Sequence, residues 1–79
     1  MDPMHGTINE QRDDEIERWF TYHAPKGDQA ERYVRIREAA KLLAYEIRKS
    51  TPKSADQTAA LRKVREAVMT ANAAIATNE

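Results

Sequence analysis

Two segments of this chain repeat apolar side chains at spacings of three and four residues, and a short break divides them. In the first, Tyr33, Ile36, Ala40, Leu43 and Ile47 hold the period, with Leu42 and Ala44 widening the stripe. In the second, Leu61, Val64, Val68, Ala71 and Ile75 repeat it. Such spacing lines one side of an α-helix and makes a packing seam. The break, Ser50-Thr51-Pro52-Lys53, follows Arg48 and Lys49, which complement a helix C-terminus. Two seamed helices joined by so short a connection fold back as an antiparallel hairpin. The expected fold class is all-α: a short N-terminal helix followed by a long antiparallel helical hairpin, assembled as a homo-oligomer.

Capping residues followed three positions later by Glu or Gln mark three helix starts: Thr7 with Glu10, Asp28 with Glu31, and Ser54 with Gln57. They put the starts near residues 8, 29 and 55. The first helix is mostly polar, with Ile8 and Ile16 its aliphatic residues after the cap, so it needs a surface to lie on. It is expected to end around Arg18 to Phe20. Pro25 disfavours helix at Ala24, and Gly27 supplies a flexible joint. The chain then divides, within one domain, into an N-terminal helical arm (1–18), an aromatic link (19–27) and a helical hairpin (28–77).

A chain of 79 residues buries too small a fraction of its surface to be very stable alone. It has no cysteine, which excludes disulfides and thiolate metal sites. Self-association is then the expected staple. A hairpin cannot enclose its own seam, so the first helix, another subunit or both must cover it, and a further face on the last helix, Arg65, Met69, Asn72 and Ala76, points to a subunit contact. Asn72 reads as a polar residue that sets register at an oligomer seam, while Ala67, Ala71 and Ala74 permit close approach. No apolar run reaches the roughly 18 residues that span a bilayer, and Met1-Asp2-Pro3-Met4-His5 is no signal peptide. The expected setting is the cytoplasm, without a membrane partner.

The net charge is zero, but residues 1–31 carry eight acids against three bases and residues 32–79 carry five against ten, so the parts are −5 and +5. Either subunits complement one another head to tail, or the second part offers an anion site. The acidic part would repel a long nucleic acid. A small anion avoids it.

Trp19-Phe20-Thr21-Tyr22-His23-Ala24-Pro25-Lys26-Gly27 holds three of the five aromatic residues and a histidine. Four rings so close do not all fit one small core. Trp19 and Phe20 are expected to cap the hairpin core, which leaves Tyr22 for stacking, although a hydroxyl-anchored packing role suits it equally. Stacking contributes about 1–3 kcal/mol per base, so phosphate contacts must come from elsewhere. Tyr33, Arg37 and Lys41 recur every four residues beside the seam. Arg37 can grip a phosphate through two nitrogens, with Lys41 as a point charge; the plainer reading is a solvated face with Arg37 paired to acids near Glu38 or in the first helix. Arg65 and Thr70 form a weaker pair. There is no HExxH, no phosphate-binding glycine loop and only two glycines. His5 and His23 lie far apart, so no catalytic residue, metal or cofactor is expected.

WFTYHAPKGDQ, RYVRIREAAKLLAYEI and TPKSADQTAALRKVREAVMTANAAIA together resemble the phage anti-CBASS cyclic-oligonucleotide sponges, whose helical hairpin domain also occurs within an anti-Thoeris sponge. The resemblance covers about residues 17–77; the first block and REAVMTANAAIA are its more specific parts. It implies a non-enzymatic hexamer that sequesters immune second messengers in the host bacterial cytoplasm. It further implies a cyclic dinucleotide site using Phe20, Tyr22, His23, Pro25, Arg37 and Lys41, with Tyr22 stacked on a base and Arg37 as the basic residue. Arg65, Met69 and Thr70 are the implied, weaker counterparts for a cyclic trinucleotide. Helix one and Met1 to Glu15 fall outside the resemblance. Two other classes fit the residues alone: a helical interaction module whose acidic and basic parts bind each other, and a small nucleic-acid-binding regulator.

Overall fold

The computed structural model describes residues 14–79. Among them residues 14–20 are helical (α1), a link runs from 21 to 28, and two long helices follow, α2 (Gln29–Ser50) and α3 (Ala55–Asn78). The Thr7–Glu10 cap and the helix start near residue 8 lie outside the described residues. No strand occurs among the described residues, and α2 and α3 pair along their length as the antiparallel hairpin.

The link leaves α1 in a defined way. Thr21 N donates to Glu17 O at 2.9 Å, and His23 Nε2 donates to Arg18 O at 2.8 Å. Gly27 sits at φ +56 with nothing within 4 Å of where a Cβ would stand. Backbone conformation, rather than room, is what asks for glycine there.

Both hairpin helices start where their caps place them, but the chemistry at the caps differs from the expected boxes. Asp28 makes no side-chain cap bond; its carboxylate takes Arg32 Nε at 3.1 Å instead. Gln29 closes the helix start, accepting from Lys26 N through Oε1 at 3.0 Å while its own N–H donates to Lys26 O at 3.0 Å. At α3, Ser54 Oγ accepts from Gln57 N at 3.1 Å. The Gln57 amide, rather than reaching back to Ser54, donates to Arg48 O, Thr51 O and Thr51 Oγ1 at 3.1–3.2 Å. It thereby ties the 51–54 turn to the end of α2.

All five seam residues of α3 are covered, and so are Tyr33, Ile36, Ala40 and Ile47 on α2. Leu43 is not: it is 51% exposed, and Ala44 is covered in its place. A straight helix repeats every 3.6 residues, so the seam drifts from a strict seven-residue period and reaches Ala44. The core is thin. Ile75, 8% exposed, is its one buried hydrophobic residue among those described, and no side chain there is fully buried. Asn72 Oδ1 is buried with no hydrogen-bond partner among the described residues.

Trp19 and Phe20 do not cap this core. Phe20 is 81% exposed, and Trp19 borders the outer side of α3 with Thr70, Ala73 and Thr77. The physical reason is the break after Phe20: the chain turns away before either ring reaches the seam, whose end is already closed by Gln29. Ile16 likewise faces outward.

Candidate functional site

The link and the open end of the hairpin enclose a groove of about 450 Å³, lined by Arg18, Tyr22, His23, Ala24, Lys26, Gln29, Ala76, Thr77 and Glu79. Tyr22 stands 83% exposed at its edge. Nothing within the described residues occupies the ring face enough to spend it on packing, so the face is open to a planar partner. His23 is pinned by its bond to Arg18 O and is half-buried. Phe20, the last residue of α1, and Pro25 on the link are exposed but do not line this groove. Of the four expected residues Phe20, Tyr22, His23 and Pro25, the groove brings together Tyr22 and His23.

Arg37 and Lys41 lie elsewhere. Arg37 is eight residues along α2 from Gln29, about 12 Å of helix rise away, and neither cation lines the groove beside Tyr22. Both are exposed, and neither makes a salt bridge among the described residues; the plainer reading of Arg37 as an internally paired charge finds no partner there. Lys41 lines a shallow groove of about 220 Å³ with Ala44, Tyr45, Arg48 and Leu61. The weaker trio also divides. Arg65 and Met69 share a groove of about 360 Å³ with Arg62 and Glu66, whereas Thr70 faces the groove beside Trp19.

A polar cluster that the sequence reading missed closes the open end. Glu79 receives Arg32 through two parallel bonds, Nη1 to Oε2 at 2.7 Å and Nη2 to Oε1 at 2.5 Å. Gln29 Nε2 donates to Glu79 Oε1 at 3.2 Å, and Lys26 Nζ to the Glu79 main-chain oxygen at 2.9 Å. The hydrogen bonds from Arg32, then from Gln29, hold the Glu79 carboxyl down from 4.5 to about 2. The same pairing pushes the Arg32 guanidinium further up from its ordinary value. Arg32 had counted only as one basic residue among many. Counting outward from the 51–54 turn sets residue 26 opposite 79, and that register was the available signal.

His5 lies outside the described residues, and among the described ones no three His, Cys, Asp or Glu side chains converge to hold a metal ion. Among the same residues no helix is long and apolar enough to cross a membrane.

A family model described as Acb2/Tad1, hairpin domain, matches residues 12–76. The chain belongs to the Acb2/Tad1 hairpin family. This is the family of the anti-CBASS and anti-Thoeris sponges, and membership implies sponge-like binding of cyclic nucleotide signals. No curated protein and no solved structure matches the chain. The Acb2/Tad1 match takes in α1, the link, α2 and α3 as far as Ala76, so it reaches further into the arm than the resemblance read from the sequence.

Proposed function

We propose that this Acb2/Tad1 hairpin protein is a phage anti-defence sponge: it binds cyclic dinucleotides such as cyclic GMP-AMP, and cyclic trinucleotides at a second site, and withholds them without degrading them. The observation that carries the reading is Tyr22, an 83% exposed ring on the link of a sponge-family chain, beside a groove with cationic and amide donors. A stacking face on a fixed link with phosphate donors near it suits a base joined to a phosphodiester. Sequestration asks for slow release, not transition-state stabilisation, and so needs no acid–base pair. The chain is then not an enzyme, and it works in the host cytoplasm where the messengers are made.

The separation of Arg37 and Lys41 from Tyr22 supports a pocket shared between chains. Phe20, Tyr22, His23 and Pro25 of one subunit face Arg37 and Lys41 of another, and a nearly symmetric ligand meets the same set twice. The thin core, the exposed Leu42 and Leu43, and Asn72 Oδ1, unpartnered among the described residues, favour such an assembly; its form as a homohexamer follows from the family reading. Arg65, Met69 and Thr70, divided between two grooves of one chain, would meet only where subunits join.

Calorimetry with a panel of cyclic di- and trinucleotides tests this, with native mass spectrometry of the same samples counting subunits and ligands. The expected result is binding to an oligomer and recovery of intact ligand on denaturation. An intact oligomer that binds none of the panel refutes the sponge and leaves a helical interaction module.

A further inference from the structure

The cluster at the open end of the hairpin has the form of an anion receptor with its guest already in place. Arg32 presents two guanidinium nitrogens in the fork that fits a carboxylate or a phosphate equally. Gln29, which is buried, adds an amide donor, and Lys26 a cationic one. Asp28 holds Arg32 from behind through Nε at 3.1 Å, which fixes the plane of the fork. Thus the donors come from the link and the first turn of α2, whereas the guest, Glu79, caps the end of α3 on a side chain 40% exposed.

Lys26, Gln29 and Glu79 also line the groove at whose edge Tyr22 stands. A ligand whose base stacks on Tyr22 has its phosphodiester in a groove that Glu79, and through it Arg32, helps to wall. Two anions do not share one guanidinium fork without strong repulsion. We propose that Arg32, Gln29 and Lys26 form a phosphate subsite of the Tyr22 groove and that Glu79 is its built-in competitor, displaced when a phosphodiester or phosphoanhydride ligand enters. The inference rests on the reading of the Tyr22 groove as the nucleotide site, but the anion subsite is testable by itself.

The consequence is a lowered apparent affinity, because only the fraction of molecules with Glu79 turned out can accept the ligand. A tethered carboxylate competes at an effective concentration set by its linkage, in the millimolar range. The low pKa of the carboxyl means that Glu79 stays charged and competing throughout the neutral range.

The test is calorimetric titration of the full chain with pyrophosphate and, separately, with cyclic GMP-AMP. Three proteins are compared: wild type, Glu79→Gln, which keeps shape and loses charge, and Arg32→Gln. Glu79→Gln is expected to bind pyrophosphate roughly three- to tenfold more tightly than wild type, and Arg32→Gln more weakly, with the double variant resembling Arg32→Gln. A Glu79→Gln protein with wild-type or weaker affinity for pyrophosphate overturns the proposal and leaves Glu79 as a clasp for the hairpin. Should Glu79→Gln lose helicity, ¹³C NMR of the Glu79 side-chain carboxyl in the wild type decides: ligand must move that resonance to its unpaired position, and an unmoved one overturns the proposal. Binding of pyrophosphate without cyclic GMP-AMP would uphold the subsite while refuting the messenger reading.

Discussion

Truncating Leu42 separates a lone hairpin from an assembled one. Leu42 is 72% exposed within the chain. Burying a whole leucine side chain is worth about 1.5–3 kcal/mol, so the covered quarter of Leu42 accounts for about 0.4–0.8 kcal/mol. Alanine returns a few tenths through its helix propensity. For an isolated hairpin, Leu42→Ala therefore shifts the melting temperature by about 4 °C at most. If a neighbouring subunit covers this face, the cost rises to that of a core truncation, about 2–5 kcal/mol, and the midpoint falls by about 8 °C or more. It also becomes dependent on chain concentration. Ile75→Ala is the internal control, because Ile75 is buried in either case and costs about 2–5 kcal/mol. Thermal melts followed by circular dichroism at two concentrations about tenfold apart, with sedimentation velocity on the same samples, measure both effects. If Leu42→Ala melts with wild type at both concentrations while Ile75→Ala does not, solvent covers this face of α2 and the reasoning for assembly through it fails.

Tyr22→Ala should leave the melting temperature within about 2 °C of wild type, since the ring packs on little, yet weaken cyclic dinucleotide binding by about 1–3 kcal/mol per stacked base; calorimetry beside a melt reads both. Ser54→Ala removes the cap on Gln57 N and should cost about 1 kcal/mol in chemical denaturation. Glu79, depressed from 4.5 to about 2 by Arg32 and Gln29, adds stability that is present above the ordinary value and lost as the pH falls from about 4.5 through about 2. The wild-type minus Glu79→Gln difference in acid unfolding should be small, because the pair is solvent-screened, and should vanish across that window; a difference that grows on acidification refutes the pairing.

The hairpin was legible because its signals are local. Capping residues and turn chemistry fixed the starts at Gln29 and Ala55, and the spacing of Leu61, Val64, Val68, Ala71 and Ile75 named the covered side of α3. The α2 seam was read less well, since Leu43 outranks Ala44 in hydrophobicity while the drift of a straight helix favours Ala44. The exposed rings were misread for a related reason. Hydrophobicity says that Trp19 and Phe20 prefer burial, but burial depends on where the link turns. The cluster of Arg32, Gln29, Lys26 and Glu79 joins residues about fifty apart, and no nearby spacing encodes it. What the sequence does carry for the site is its residue types, a tyrosine on a link and cations on α2; their separation along one chain appears only in three dimensions.

The side chain of Gln57, spanning the turn to Arg48 O and Thr51, also gives the molecule a direction of assembly. Contacts nearest the turn close the shortest loops and form at least entropic cost, so the hairpin zips from residues 51–54 outward and its open end closes last. The contacts made last are those of the buried Ile75 and Gln29 and of the Arg32–Glu79 pair. The link with Tyr22 is attached to that late-closing end, so the part of the chain offered to a ligand takes its final shape only after the rest of the hairpin has formed.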